Sequence, residues 1–269
     1  MADDLRDLCA DLAAEHAALD AVVADLDDAG WDTPTASDRW AVRDQIGHLA
    51  YFDETATQAI VDPERFAADL EAALSGDLTE FLDATEVRGR TLPPADLLAW
   101  WREGRAALLA AAEPLDPKAR LPWYGPSMGA RSFITARLME TWAHGQDVVD
   151  ALGAERPATE RLRHIADLGV RTRSFSYAVR GLEPPTDDVL VELTGPRGEL
   201  WNWGPEDAAE WVMGTALDFC LVVTQRRHVD DTELAVMGPG ANEWMLIAQC
   251  FAGGATLGPE PGARSDAAG

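Results

Sequence analysis

The stretch Arg131-Ser-Phe-Ile-Thr-Ala-Arg-Leu-Met-Glu-Thr-Trp-Ala-His-Gly-Gln-Asp147 decides how the chain is read. In a helix, residues four apart share a face, so Glu140 and His144 set a carboxylate beside an imidazole. An earlier helical segment, Arg43-Asp-Gln-Ile-Gly-His-Leu-Ala50, brings a second histidine, His48. Two imidazoles and one carboxylate converging inside a helical bundle make a three-ligand metal site, and three protein ligands leave zinc a position for water or substrate. A Glu and a His four apart are also a common solvent-facing pair, and a lone histidine carries less weight still. Ligation is favoured by their place on the sides of helices flanked by apolar residues, where an unpaired carboxylate is costly and coordination removes the cost.

Upstream, Leu5, Leu8, Leu12, Leu19, Val22, Val23 and Leu26 recur at helical spacing and predict a first amphipathic helix over residues 3–28, punctuated by Gly30. Trp40 leads into a second helix over 42–61 that turns Ile46, Leu49 and Phe52 inward. Asp62-Pro63 opens a short helix over 64–74, 78–88 reads as helical, and Pro93-Pro94 introduces a stronger helix over 95–112. The connection 114–128 is rich in Pro, Gly and aromatics around Leu121-Pro-Trp-Tyr-Gly-Pro126, a composition common in loops that line sites. The helix carrying Glu140 and His144 ends near Leu152-Gly153. Four main helices with moderate connections predict a four-helix bundle.

Downstream the period changes. One helix is expected over 160–179, then a hairpin from Val189–Thr194 and Glu199–Trp203 around Gly195-Pro-Arg-Gly198. Residues 207–223 read as a helix, 233–236 as a short strand and 240–251 as a helix. The expected class is α+β, with a helical bundle over 1–155, a small α/β domain over 156–254 and a disordered tail over 255–269.

Composition narrows the partners. Lys and Arg number 22 against 47 Asp and Glu, a net charge of −25 that repels phosphate backbones and anionic membrane surfaces. Neither a nucleic acid nor a membrane partner is expected, and no apolar run reaches the length of a membrane span. Cys9, Cys220 and Cys250 lack metal-type spacing and read as reduced, buried thiols. With an acidic N-terminus where a signal peptide would be basic, the expected location is the cytoplasm.

The segment Trp40-Ala-Val-Arg-Asp-Gln-Ile-Gly-His-Leu49 resembles the second-helix motif of the DinB-like superfamily, in particular the N-terminal domain of mycothiol-dependent maleylpyruvate isomerases. Glu140-Thr-Trp-Ala-His-Gly-Gln-Asp147 resembles the matching motif on the fourth helix, and the order is right. Trp203-Gly-Pro-Glu206 and the run Val212–Arg227 are similar to the small C-terminal domain, reminiscent of sterol-carrier folds, that accompanies this bundle. The resemblance implies a divalent metal, usually zinc, on His48, Glu140 and His144, with water completing the shell. It also implies a thiol cosubstrate such as mycothiol, used to isomerise a small electrophile or transferred to it.

Around that site, Asp147 and Asp44 are placed to orient ligand imidazoles, with a helix charge or cap as the plain alternative for Asp44. Trp123 and Tyr124 are candidate walls for the bound thiol, or ordinary packing. Arg226 and Arg227 are candidate catalytic cations able to grip a carboxylate, or a helix C-terminal cap. The expectation is a zinc-dependent enzyme acting on a small molecule with a thiol, assembled as a homodimer. A hydrolase or lyase that activates water, and a non-catalytic protein whose metal props the bundle while the C-terminal domain holds a ligand, are the alternatives.

Overall fold

The structure is a computed structural model that describes residues 5–75 and 86–264. It divides into two compact units, residues 1–154 and 155–269. The first is helical: α1 (Leu5–Val23), the short α2 (Asp28–Trp31), α3 (Val42–Val61), α4 (Pro63–Ser75), α5 (Pro94–Ala112) and α6 (Ala130–Leu152). α1 stops at Val23, short of the expected end, because Asp27 starts a new helix by accepting the Gly30 N–H at 2.9 Å. α3 begins where the Asp44 carboxylate reaches back to the Ala41 N–H at 2.8 Å, which satisfies one of the donors left over at a helix N-terminus. α6 ends as expected at Gly153, whose φ of 59° suits the left-handed cap.

α3 lies along α5 and α6, and α1 lies along α6 and touches α5, which makes a four-helix bundle of α1, α3, α5 and α6. Leu8, Leu12, Leu19, Ile46, Leu49, Ala50, Leu97, Trp101, Leu108, Leu138 and Val148 are buried in its interior. Each large aliphatic side chain removed from water contributes roughly 1.5–3 kcal/mol, against the cost of ordering it. Residues 86–91 are helical, whereas 76–85, where most of the expected 78–88 helix falls, lie outside the described residues. A Cβ on Gly47 would stand 3.0 Å from the Gly89 Cα, so the absence of a side chain lets the 86–91 turn close onto α3 one residue before His48.

The connection before α6 is less irregular than its composition suggests. β1 (Arg120–Leu121) pairs antiparallel with β2 (Met128–Gly129), and Arg120 donates to both the carbonyl and the hydroxyl of Ser127. The tip carrying Trp123 and Tyr124 is therefore held at its base.

The second unit carries a four-stranded sheet in the order β4-β3-β5-β6, from β3 (Val189–Thr194), β4 (Leu200–Trp203), β5 (Glu210–Thr215) and β6 (Ala235–Met237). The β3–β4 hairpin is as expected, β5 runs parallel to β3, and β6 is antiparallel to β5. α9 (Ala216–Val223) packs on β3 and β5, and α10 (Pro239–Ile247) on β5 and β6. The expected 160–179 helix is two, α7 (Leu162–Arg171) and α8 (Arg173–Ala178), broken at Thr172, whose hydroxyl donates to the Leu168 and Gly169 carbonyls.

Residues 207–223 correct the sequence reading, since Glu210–Thr215 within them is strand. Glu210, Trp211, Val212 and Met213 alternate between buried and half-buried against β3, and Glu210 accepts the Gly240 and Ala241 N–H groups at 3.2 and 2.6 Å. Only at Thr215, whose hydroxyl accepts from Asp218 N–H at 3.0 Å, does the helix start. Part of the tail is held as well: the Thr256 hydroxyl donates to Gln225 at 2.6 Å and the Gly262 N–H to Asp231 at 2.9 Å, while 265–269 lie outside the described residues.

Candidate metal centre

His48 projects from the middle of α3, and Glu140 and His144 from adjoining turns of α6. One ligand atom from each lies within 4.8 Å of the others. Glu140 Oε2 is 3.1 Å from His144 Nε2 and 3.7 Å from His48 Nε2, and the two imidazole centroids are 4.3 Å apart. His48 and Glu140 keep 22% side-chain exposure and His144 12%, so the cluster is reachable from solvent. Burial favours the neutral form of Glu140, but hydrogen bonds and charge from His144 and His48 outweigh it and hold the carboxyl well below its ordinary range. Burial, aided by His144 and opposed by Glu140, pushes His48 down to about 4. An ionised carboxylate beside a neutral imidazole at neutral pH is the state that metal ligation requires.

The surroundings hold these side chains in place. Trp40 stacks on His144 at a centroid distance of 5.8 Å and leans on His48 at 5.3 Å. His144 Nδ1 is 2.5 Å from Gln45 Oε1, and the Gln45 amide nitrogen lies 2.9 Å from Thr35 Oγ1 and 3.1 Å from Ser37 Oγ. The Ser37 hydroxyl reaches the buried Asp147 at 3.4 Å. Asp147 thus connects to His144 through Ser37 and Gln45. Asp44 does not orient His48: it caps α3 and pairs with Arg90 at 2.7 Å, the plainer of its two readings.

Phe52, one turn after His48 on α3, packs on that imidazole at 4.5 Å. It meets Tyr124 at 5.6 Å and Trp123 at 6.3 Å, and Trp123 stacks on Phe66 at 5.7 Å. An aromatic surface therefore runs from the ligand cluster to the loop tip. Burial pushes the Tyr124 hydroxyl up, against the pull of Tyr51 and Thr55, so it stays neutral and able to donate.

Deeper in the bundle, Arg137 donates through Nε and Nη2 to Asp53 Oδ1 at 3.1 and 2.8 Å, both side chains being buried. His16, against Asp53 Oδ2 at 3.6 Å and edge-on to Trp101, stands outside the ligand cluster. Its burial pushes it down to about 4, with the Asp53 charge opposing.

Arg226 and Arg227 belong to the second unit, just beyond α9, where they donate to the Thr224 and Arg226 carbonyls at 2.7 and 2.8 Å. The Thr224 carbonyl stands at the C-terminal cap of α9, where a cation would cap the helix, whereas the Arg226 carbonyl lies beyond it. His228 is partly buried, with Nδ1 accepting the Asp230 N–H at 3.1 Å. The three cysteines are buried and form no disulfide, and burial raises Cys220 well above the ordinary thiol range. No described helix is long and apolar enough to cross a membrane.

Sequence reasoning missed Gln45, Ser37 and the Asp53–Arg137 pair. Gln45 lies three residues before His48, a helical spacing that signals a shared face, but its partner is on another helix.

Comparison with known proteins adds to this geometry. The family described as mycothiol maleylpyruvate isomerase N-terminal domain matches residues 12–149, and the family described as wyosine base formation matches 185–237. Uncharacterized proteins from two strains of Mycobacterium tuberculosis are 47% identical over 244 residues, covering 91% of this chain and 95% of theirs. Among solved structures, the mycothiol-dependent maleylpyruvate isomerase superposes with a TM-score of 0.56 at 15% identity, over 88% of this chain and 96% of that one. A histidine-to-alanine variant of it gives 0.58 with the same identity and coverage. At that identity the likeness is one of fold.

Proposed function

Since the chain belongs to the mycothiol maleylpyruvate isomerase N-terminal domain family, we propose that it is an enzyme in which His48, Glu140 and His144 hold a divalent metal, zinc fitting best, to activate a low-molecular-weight thiol such as mycothiol. The observation that carries this reading is the convergence of the three donors within 4.8 Å, from two helices, at a place solvent can reach. Two imidazoles and one carboxylate suit zinc, and a structural zinc would ordinarily take a fourth protein ligand, where the cluster among the described residues has three. The donor set also suits iron or nickel.

A divalent ion held there supplies the charge that lowers the pKa of a bound thiol and makes its thiolate available near neutral pH. The chain's own residues do the rest. Glu140 contributes the negative charge that draws the cation, and His48, neutral at working pH, offers a lone pair without first losing a proton. Phe52, Trp123 and Tyr124 form an apolar wall beside the cluster that excludes water from one flank and gives the thiol or its small electrophilic acceptor a surface to pack on. The reaction is isomerisation of that acceptor or transfer of the thiol to it.

The test uses protein purified without a metal-affinity column, analysed for metal, then loaded with cobalt and titrated with mycothiol. A sulfur-to-metal charge-transfer band that grows with mycothiol supports the reading, and His48→Ala should abolish it. A stoichiometrically loaded protein whose spectrum ignores mycothiol would sink the thiol chemistry, and a protein that takes up no divalent ion would sink the metal site itself.

A further inference from the structure

The hydrogen-bond chain behind His144 has a direction, and that direction can be worked out from the groups at its ends. The Trp40 carbonyl can only accept, and the Thr35 hydroxyl donates to it at 3.0 Å. The Asp147 carboxylate can only accept, and the Ser37 hydroxyl donates to it at 3.4 Å. Each hydroxyl has a single hydrogen, so with both committed the two oxygens are acceptors. They face the same end of the Gln45 amide, at 2.9 and 3.1 Å. That end must be the NH2 group, and its two hydrogens are both consumed. The other end, Oε1, can only accept, and it stands 2.5 Å from His144 Nδ1. Gln45 is fully buried, so no solvent competes for these bonds.

We infer that Gln45 is a positioning residue for the metal site: it requires a hydrogen on His144 Nδ1, leaves Nε2 as the nitrogen that faces Glu140 and the ion, and has its own orientation set by Thr35 and Ser37. The inference rests on the metal-binding reading above for its purpose, though not for the hydrogen-bond direction. It gives Asp147 a part as well, as the terminal acceptor that keeps the Ser37 hydrogen away from Gln45. A flipped Gln45 amide would set a donor against Nδ1 and an acceptor against two hydroxyls, so the chain stores one tautomer and not a choice between two.

Two measurements test it. Nitrogen-15 NMR of histidine-labelled, metal-free protein should show a hydrogen bonded to His144 Nδ1. A bare Nδ1 overturns the inference whether or not the protein binds metal. Zinc affinity, measured by competition with a chromophoric chelator, should fall by roughly 10–100-fold in Gln45→Leu, the range for losing a partner that orients a ligand. Gln45→Glu, which keeps an acceptor at Nδ1, should bind zinc at least as tightly as the parent. Equal affinity in all three proteins overturns the inference, as does Gln45→Glu binding as weakly as Gln45→Leu. If Gln45→Leu does not fold, the metal-free spectrum and Gln45→Glu still decide. A parent protein that takes up no zinc but retains the Nδ1 hydrogen would instead overturn the metal reading alone.

Discussion

Replacing Arg137 with methionine should be among the most damaging single changes in the helical unit, although Arg137 is not a proposed metal ligand. Asp53 is fully buried and Arg137 is 3% exposed, with two guanidinium nitrogens on one carboxylate oxygen at 2.8 and 3.1 Å. Unit charges about 4 Å apart interact by about 4 kcal/mol at the effective dielectric that suits protein sites. Removing one partner of such a pair typically costs about 3–5 kcal/mol, because the other charge is left buried. That is a large fraction of the roughly 5–15 kcal/mol by which a folded domain is stable. His16 supplies a second handle, since its Nε2 is 3.6 Å from the other Asp53 oxygen and the Arg137 charge is one of the causes that keep it neutral. Once Arg137 is gone, a protonated His16 can neutralise Asp53, so the deficit of Arg137→Met should shrink as pH falls below about 6.5. Urea unfolding followed by tryptophan fluorescence, at neutral pH and at about pH 5, measures both effects. Arg137→Met combined with Asp53→Leu should recover most of the loss, because no charge is then left unpaired. A single variant within about 1 kcal/mol of the parent, or a double variant no more stable than the single, would refute the reasoning.

The parent protein should itself weaken in acid. Burial lowers His16 from 6.5 to about 4, so the unfolded chain takes up a proton that the folded one refuses; that contribution is complete above about pH 6.5 and is lost as pH falls towards 4. A shift of this size corresponds to about 3 kcal/mol, and His16→Leu should flatten the pH dependence seen in urea unfolding by that amount. Gly47→Val should destabilise by about 1–3 kcal/mol, the usual cost of overpacking, because the new side chain meets backbone. A thermal midpoint unchanged from the parent would show that the 86–91 turn moves aside freely.

Much of the bundle was legible because burial on one helix face writes an apolar period into the chain. Leu8, Leu12 and Leu19 on α1 and Ile46 and Leu49 on α3 carry that period, and all are buried. Part of the candidate cluster was legible for the same geometric reason, since the four-residue spacing of Glu140 and His144 defines a shared face before any fold is known, whereas His48 joins them from another helix. Residues 207–223 misled because helix and strand signals merge in a short apolar run, and pairing with β3 decided the matter for Glu210–Thr215.

By itself, the sequence determined which segments of the bundle are helical and which residues could ligate a metal, and its −25 charge is the ground for expecting no nucleic-acid partner. Tertiary structure alone decided what lies behind those candidate ligands. Gln45 meets His144 across 99 residues of chain and Arg137 meets Asp53 across 84, and no local spacing encodes either pairing. Period and propensity act over one or two turns of chain, whereas the direction of a buried hydrogen bond depends on every group packed around it.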